Sequence, residues 1–205
     1  MPLIRTDPSH NKAAGAAHPG LLTAGTPDER WSAARAMGAD EAAVAALGSA
    51  LLSEPDPRVR EAILTALARA ASPAAVDAVL PHLRSDDASR RTGALDALRA
   101  MPAAVAPRLD ELLCDPDPDV RVLACELVRH IPADQASSLL TGVLDNDPEV
   151  NVCAAAVEVL AELGGPQDLE ALSRCAERFP AEAFLRFSVQ VTVERISPQG
   201  SLPRV

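Results

Sequence analysis

The feature that most constrains this sequence is a repeat with an almost constant period. A short pattern ends in a basic or amide residue at Arg30, Arg60, Arg91, Arg121 and Asn151, at steps of 30, 31, 30 and 30 residues. A unit of this length is one supersecondary element, and it has to stack on its neighbours because it cannot bury its apolar face alone. The period therefore predicts a solenoid.

Each repeat carries signals for two helix starts. In the second repeat, Asp56 is suited to the N-cap position and Pro57 to the first helical position. Apolar residues then recur at three-to-four-residue spacing from Val59 to Ala70, and Ser72-Pro73 opens a shorter second helix. The sequence therefore predicts an all-α solenoid of about five to six stacked helical hairpins.

The ends of the periodic region set the expected boundaries. Residues 1–20 are rich in Pro, Ala, Gly and His and are predicted to form a flexible arm, residues 21–196 the solenoid, and residues 197–205 a tail. Within the arm, Pro2-Leu3-Ile4-Arg5 is either part of an ordinary tail or a docking peptide for a partner.

The last helix is predicted against a competing signal. Val189 to Val193 alternates as a strand would, whereas Phe184, Phe187, Val191 and Ile196 keep a helical spacing. We expect a final capping helix. The phenylalanines near this end, like Trp31 near the other, are interpreted either as seals for the ends of the stack or as exposed anchors for a partner.

The start Asp-Pro-x-Val-Arg, followed by an Ala- and Leu-rich helix and a short second helix, resembles the HEAT repeat over residues 25–196. The period is shorter than the roughly 40 to 47 residues usual for HEAT repeats and is similar to the compact HEAT-like type found in phycobilin lyases. In that family the repeated arginine pairs with an aspartate of a neighbouring unit in a buried ladder. The resemblance implies a ladder of Arg30, Arg60, Arg91 and Arg121, with Asp56, Asp87, Asp117 and Asp147 as acidic partners or caps. Asn151 departs from the pattern because an amide supplies no charge.

Charge narrows the class of partner. A formal net charge of −10 opposes binding to nucleic acid and to anionic membranes, which both favour a basic face. Many of the acidic residues fall in the turns between repeats, which a solenoid aligns along one edge. These acids are either helix caps or a negative ridge that steers a basic protein surface.

No motif indicates catalysis, a cofactor or a metal site. The four cysteines are scattered without metal-ligand spacing and are expected to be apolar core residues in a reducing, cytoplasmic setting. The spacing of Asp115, Asp117, Asp119 and Glu126 matches a calcium loop, but Val120 stands where that loop needs glycine. We therefore expect a protein without enzymatic activity, cofactor or metal.

The resulting functional prediction is a protein-binding scaffold, adaptor or assembly factor acting through its solenoid surface. The alternative implied by the resemblance is tetrapyrrole binding or chromophore attachment, as in phycobilin lyases. In HEAT-like proteins the second helices usually line the concave face. Helical spacing then gives these candidate partner-binding residues: Asp77, Arg84, Arg108, Glu111, Gln135, Ser138, Glu170 and Arg174.

Overall fold

The computed structural model describes residues 19–197, and none of these residues belongs to a strand. The all-α prediction is confirmed. Contacts between helices divide the described residues into two compact units, with the boundary between Val79 and Leu80. The predicted arm and tail lie outside the described residues, apart from Pro19, Gly20 and Ser197.

The first unit contains one short helix followed by two stacked hairpins. Its helices are α1 (Leu21–Ala24), α2 (Pro27–Ala36), α3 (Glu41–Ser53), α4 (Pro57–Ala70) and α5 (Pro73–Val79). The first helices of the two hairpins, α2 and α4, pack together, and so do the second helices, α3 and α5. A β-carbon at Gly48 would lie 2.9 Å from the β-carbon of Ala78, so the close approach of α3 and α5 requires glycine at that position.

The second unit, taken by itself, also stacks first helices on first helices and second helices on second helices. It consists of a 3₁₀ segment (Leu80–Arg84), α6 (Ala88–Arg99), α7 (Pro102–Val105), a 3₁₀ segment (Ala106–Arg108), α8 (Leu109–Leu113), α9 (Pro118–Val128), α10 (Ala133–Asn146), α11 (Val150–Leu163), a 3₁₀ segment (Pro166–Asp168), α12 (Leu169–Arg178) and α13 (Ala183–Ile196). The first helices α6, α9, α11 and α13 pack in that order, and α10 packs on α12 among the second helices. Val189 to Val193 is helical, as the 3.6-residue spacing predicts.

Aspartates cap the N-termini of three first helices, as the sequence predicts. Asp56, Asp87 and Asp117 are N-caps, and each accepts a hydrogen bond from the amide two residues later, at 2.8, 2.8 and 2.9 Å. Pro57 and Pro118 occupy the first helical positions, where an amide hydrogen is not needed. These caps satisfy backbone donors that would otherwise be left unpaired at the start of each helix.

One buried ion pair joins consecutive repeats in the second unit. The guanidinium of Arg121 on α9 donates two hydrogen bonds to the carboxylate of Asp147, at 2.6 and 3.0 Å. It also donates to the carbonyl of Asp115 at 2.9 Å. Both charged residues are buried. A bidentate pair of this kind is geometrically specific, so it fixes the turn before α11 against α9.

The first unit contains a similar pair with a different acid. Arg30 donates to both carboxylate oxygens of Glu54 at 2.8 Å and to the carbonyl of Gly25 at 2.7 Å. Glu54 is only 3% exposed and also accepts from the amide of Asp56 at 2.9 Å. The acid that binds the arginine is therefore Glu54, two residues before the cap, whereas Asp56, implied by the resemblance as a partner or a cap, is the cap.

The other positions of the implied ladder separate into two roles. Arg60 donates to the carbonyl of Pro55 at 2.7 Å, and Arg91 donates to the carbonyl of Ser85 at 2.6 Å. Each arginine thus holds the turn that precedes its own helix. Asp56, Asp87 and Asp117 cap helices, whereas Asp147 receives an arginine.

At the fifth repeat, the arginine that binds the turn before α11 belongs to α12 and does not occupy the repeat position of Asn151. Asn151 is exposed. Arg178, near the end of α12, donates to the carbonyl of Asp147 at 2.6 Å and to the carbonyl of Leu144. The turn before α11 is therefore held by a guanidinium that reaches it from the second helix of the same hairpin.

We predict that Arg121→Ala lowers the free energy of unfolding by about 3 kcal/mol, because Asp147 would remain buried without its partner. Chemical denaturation measures the change. Arg58→Ala is the matched control, since Arg58 pairs with Asp28 at 3.5 Å and both side chains are largely exposed. Equal stability of the two variants would contradict a structural role for the buried pair.

A second prediction concerns acid stability. Burial alone would raise the pKa of Glu54, but hydrogen bonds from Arg30 and from the Asp56 amide outweigh it and hold that pKa below its ordinary value of 4.5. A lowered folded-state pKa gives stabilisation that is present above the unfolded-state pKa and lost as the pH falls through the folded-state value. The stability gap between the wild type and Glu54→Gln should therefore be widest near neutral pH and shrink below about pH 4.5.

Urea denaturation at a series of pH values measures this gap, with Glu61→Gln as the control at an exposed position. A gap that stays constant into acid would show that the charge of Glu54 does not contribute.

Candidate protein-binding groove

An open groove of about 610 Å³ lies between α8 and α10 in the second unit. Its walls come from these two second helices, and its floor comes from the turns that precede α9 and α11. The lining residues are Asp110, Leu113, Cys114, Asp115, Arg121, Ser138, Leu139, Gly142, Val143, Asn146, Asp147 and Pro148. This groove is the candidate site.

Two local sequence features keep the groove open. Pro107 lies in the 3₁₀ segment before α8, and α8 itself is only five residues long. Across the groove, Gly142 lies on α10, where a β-carbon would meet no atom within 4 Å. A short helix facing a residue without a side chain leaves a space that a pair of regular hairpins would fill.

The charges on the groove floor are internally paired. Arg121 is bound by Asp147, and Asp115 forms an ion pair with Arg84 and accepts from the amide of Asp117 at 3.0 Å. Asp110, by contrast, is exposed on α8. The arrangement therefore combines a neutralised floor with an acidic residue on one wall.

Apolar side chains line part of the walls. Leu113 and Val143 are buried, and Leu139 is half-buried, whereas Ser138 and Asn146 are exposed. An apolar side chain entering the groove would displace water from the half-buried side chain of Leu139, while a cation on the same segment would lie near Asp110. The groove is suited to a peptide segment that carries both kinds of group.

All eight predicted partner-binding residues lie on second helices or on the 3₁₀ segments that continue them. Ser138 lines the groove, and Arg84 holds Asp115 at its floor. Gln135 is exposed near the start of α10. Asp77 belongs to the first unit and is exposed on α5.

The remaining predicted residues are engaged with charges of their own unit. Arg108 and Glu111 bind each other at 2.9 Å. Arg174 binds Asp145 at 2.8 Å and Glu170 at 2.7 Å. These ion pairs lie at the surface, so a binding partner would have to compete with them for the same charged groups. Sequence reasoning did not identify the apolar wall or Gly142, although Pro107 and Gly142 are the local signals that mark the opening.

The described residues contain no group of histidine, cysteine and acidic side chains suited to hold a metal ion. Between residues 19 and 197, no helix combines the length and the apolar character needed to cross a membrane.

The cysteines divide into one exposed and three buried residues. Cys114 is exposed on the groove, whereas Cys125, Cys153 and Cys175 are buried. Burial raises the pKa of the Cys125 thiol to about 12. A hydrogen bond with the thiol of Cys175, together with burial, raises the pKa of Cys153. Thiolate is the reactive form, so these two buried thiols are protected both by access and by protonation.

We predict that the native protein reacts rapidly with one equivalent of a maleimide or disulfide reagent, at Cys114, and with four equivalents after unfolding. Mass spectrometry of the labelled protein identifies the site, and Cys114→Ser should abolish the fast phase. Fast labelling of Cys125 in the native protein would contradict the described core.

Comparison with known proteins identifies the repeat. The sequence matches the family described as HEAT repeats over residues 16–99 and 105–184. No curated protein matches this sequence.

Three solved structures are similar to this chain. The complex of CpcE and CpcF of phycocyanin lyase from Nostoc sp. PCC7120 is 22% identical, with a TM-score of 0.46 over 95% of this chain and 82% of that chain. A designed armadillo repeat protein is 19% identical, with a TM-score of 0.42 over 87% and 98%. Cex1p is 15% identical, with a TM-score of 0.49 over 81% and 38%. At these TM-scores the likenesses carry no functional argument.

Proposed function

This chain belongs to the HEAT-repeat family, and we propose that it is a non-enzymatic scaffold or adaptor that binds a segment of a partner protein in the groove between α8 and α10. The observation that carries the proposal is the groove itself, with an apolar wall at Leu139 and Val143, an exposed acid at Asp110 and an empty position at Gly142. Repeat solenoids use extended surfaces of this kind for binding.

The chemistry of the groove defines the class of partner. In a partner segment that has one or two apolar side chains next to a lysine or arginine, the apolar side chains would pack against Leu139 and the cation would lie near Asp110. The net charge of −10 adds long-range attraction for a basic surface, which raises the association rate more than the affinity. We expect a polar contact of modest affinity, because large apolar anchors are few.

The charge of the groove disfavours the alternative of tetrapyrrole binding. The propionates of a linear tetrapyrrole need cations, whereas Arg121 is already bound by Asp147 and the exposed wall carries Asp110. The groove therefore supports protein binding better than chromophore binding.

We predict that Gly142→Leu lowers partner affinity by about tenfold or more, a loss of about 1.4 kcal/mol in binding free energy, because leucine would fill the groove. The fold should tolerate the change, since a side chain at Gly142 meets open space and glycine is unfavourable within a helix by roughly 1 kcal/mol. Ala45→Leu is the control, because Ala45 is an exposed helical residue of the first unit.

The experiment begins with capture of partners from the native extract by the wild-type chain. The bound segment is then mapped by peptide scanning, and its affinity is measured by calorimetry for each variant. Alkylation of Cys114 on the groove should reproduce the loss of affinity, and Cys114→Ser should be insensitive to the reagent. A partner that binds Gly142→Leu and the alkylated protein as tightly as the wild type would overturn the proposal for this groove.

A further inference from the structure

Two of the buried cysteines of the second unit lie side by side. Cys153 is in the first turn of α11, Cys175 is on α12, and both residues are completely buried. Their thiols are hydrogen-bonded to each other. Cys125 differs, because the acceptor that its sulfur approaches is the carbonyl of Val152, at 4.0 Å. The three buried cysteines therefore comprise one pair and one single thiol.

The turn before α11 holds the two cysteine-bearing helices together at the position of the pair. The sulfur of Cys153 lies 3.6 Å from the carbonyl oxygen of Asp147, so its thiol proton has two acceptors within reach. Arg178 donates to the same carbonyl at 2.6 Å and follows Cys175 by one turn of α12. This shared carbonyl connects the start of α11 with the end of α12, and the sulfurs lie where the two helices meet.

The two thiols of the pair differ in reactivity. A hydrogen bond from Cys153 lowers the pKa of Cys175, and the positive charge of Arg178 acts in the same direction, against the effect of burial. The pKa of Cys153 is raised by its hydrogen bond with Cys175 and by burial. Cys175 therefore reaches the nucleophilic thiolate form more readily, and Cys153 is placed to react with its sulfur once that sulfur is oxidised.

We propose that Cys153 and Cys175 are a reversible redox pair, which hydrogen peroxide oxidises to a disulfide that links α11 to α12. The Cys175 thiolate attacks one oxygen of the peroxide, the O–O bond breaks, and the departing hydroxide takes up the Cys175 proton as water. The sulfur of Cys153 then attacks the resulting sulfenic acid, the S–O bond breaks, and the hydroxyl group leaves with the Cys153 proton as a second water. Two thiols and one peroxide thus give one disulfide and two waters, and dithiothreitol reverses the oxidation.

The position of the pair limits the oxidant and defines the consequence. Both sulfurs are buried, so the oxidant has to be small, which favours peroxide over a bulky disulfide. The new bond closes a loop that contains most of α11, the Gly164-Gly165 turn and the first part of α12. A cross-link of this kind restricts the unfolded chain and stabilises the fold. The pair is separate from the proposed partner segment in the groove and does not depend on it.

Mass spectrometry after peroxide treatment of the folded chain tests the proposal. The chain carries Cys114→Ser, so that the exposed thiol on the groove cannot react. Non-reducing peptide mapping should identify a disulfide between Cys153 and Cys175, which dithiothreitol removes. Adding Cys125→Ala is the matched control at the other buried thiol and should leave the disulfide unchanged. Absence of any disulfide, or one that joins Cys125 to Cys153, would overturn the proposal.

Urea denaturation tests whether the fold accommodates the bond. The oxidised protein should unfold at a higher urea concentration than the reduced protein, and dithiothreitol should abolish the difference. With Cys175→Ala, peroxide should give no disulfide and no rise in the unfolding midpoint, and Cys153→Ala provides the second variant. Circular dichroism checks that each variant folds. A midpoint that is unchanged or lower after oxidation would contradict a pair that the fold holds ready for the bond.

Discussion

Each described hairpin has an apolar face, and packing against a neighbouring hairpin of the same unit removes that face from water. The hydrophobic stabilisation that this burial provides is non-directional and roughly proportional to the apolar area removed from water. The core that results is built mainly from alanine, leucine and valine, with Leu47, Leu67, Leu140 and Leu160 completely buried. Small side chains permit short distances between helices, as the contact between Gly48 and Ala78 illustrates. Stacking of this kind sets the order of the helices within each unit, but it does not fix the turns between them.

The turns are fixed by charged and polar groups that the apolar core cannot supply. Arg30 and Arg121 bind buried acids, Arg60 and Arg91 bind backbone carbonyls, and Arg178 takes over where Asn151 interrupts the pattern. The turn carbonyls and buried carboxylates need donors because an unpaired buried polar group is costly. The repeated cation therefore has one structural purpose in every repeat, although the atom that accepts its hydrogen bonds differs.

The groove arises where the regular repeat is incomplete. It exists because α8 is short and Gly142 lacks a side chain. Its apolar lining and the exposed Asp110 are the features on which the proposal of a basic partner segment rests. On α13, Phe184 and Phe187 are exposed, and no second helix among the described residues covers that side.

The sequence alone determined the period, the helix starts and the helical nature of the last segment, because caps, prolines and apolar spacing act over a few residues. Only the tertiary structure decided that Glu54 rather than Asp56 receives Arg30, that Arg178 substitutes for a cation at Asn151, and that Phe184 and Phe187 are left uncovered. These outcomes depend on which side chains of different repeats meet in space. The local spacing of residues along the sequence does not determine such contacts.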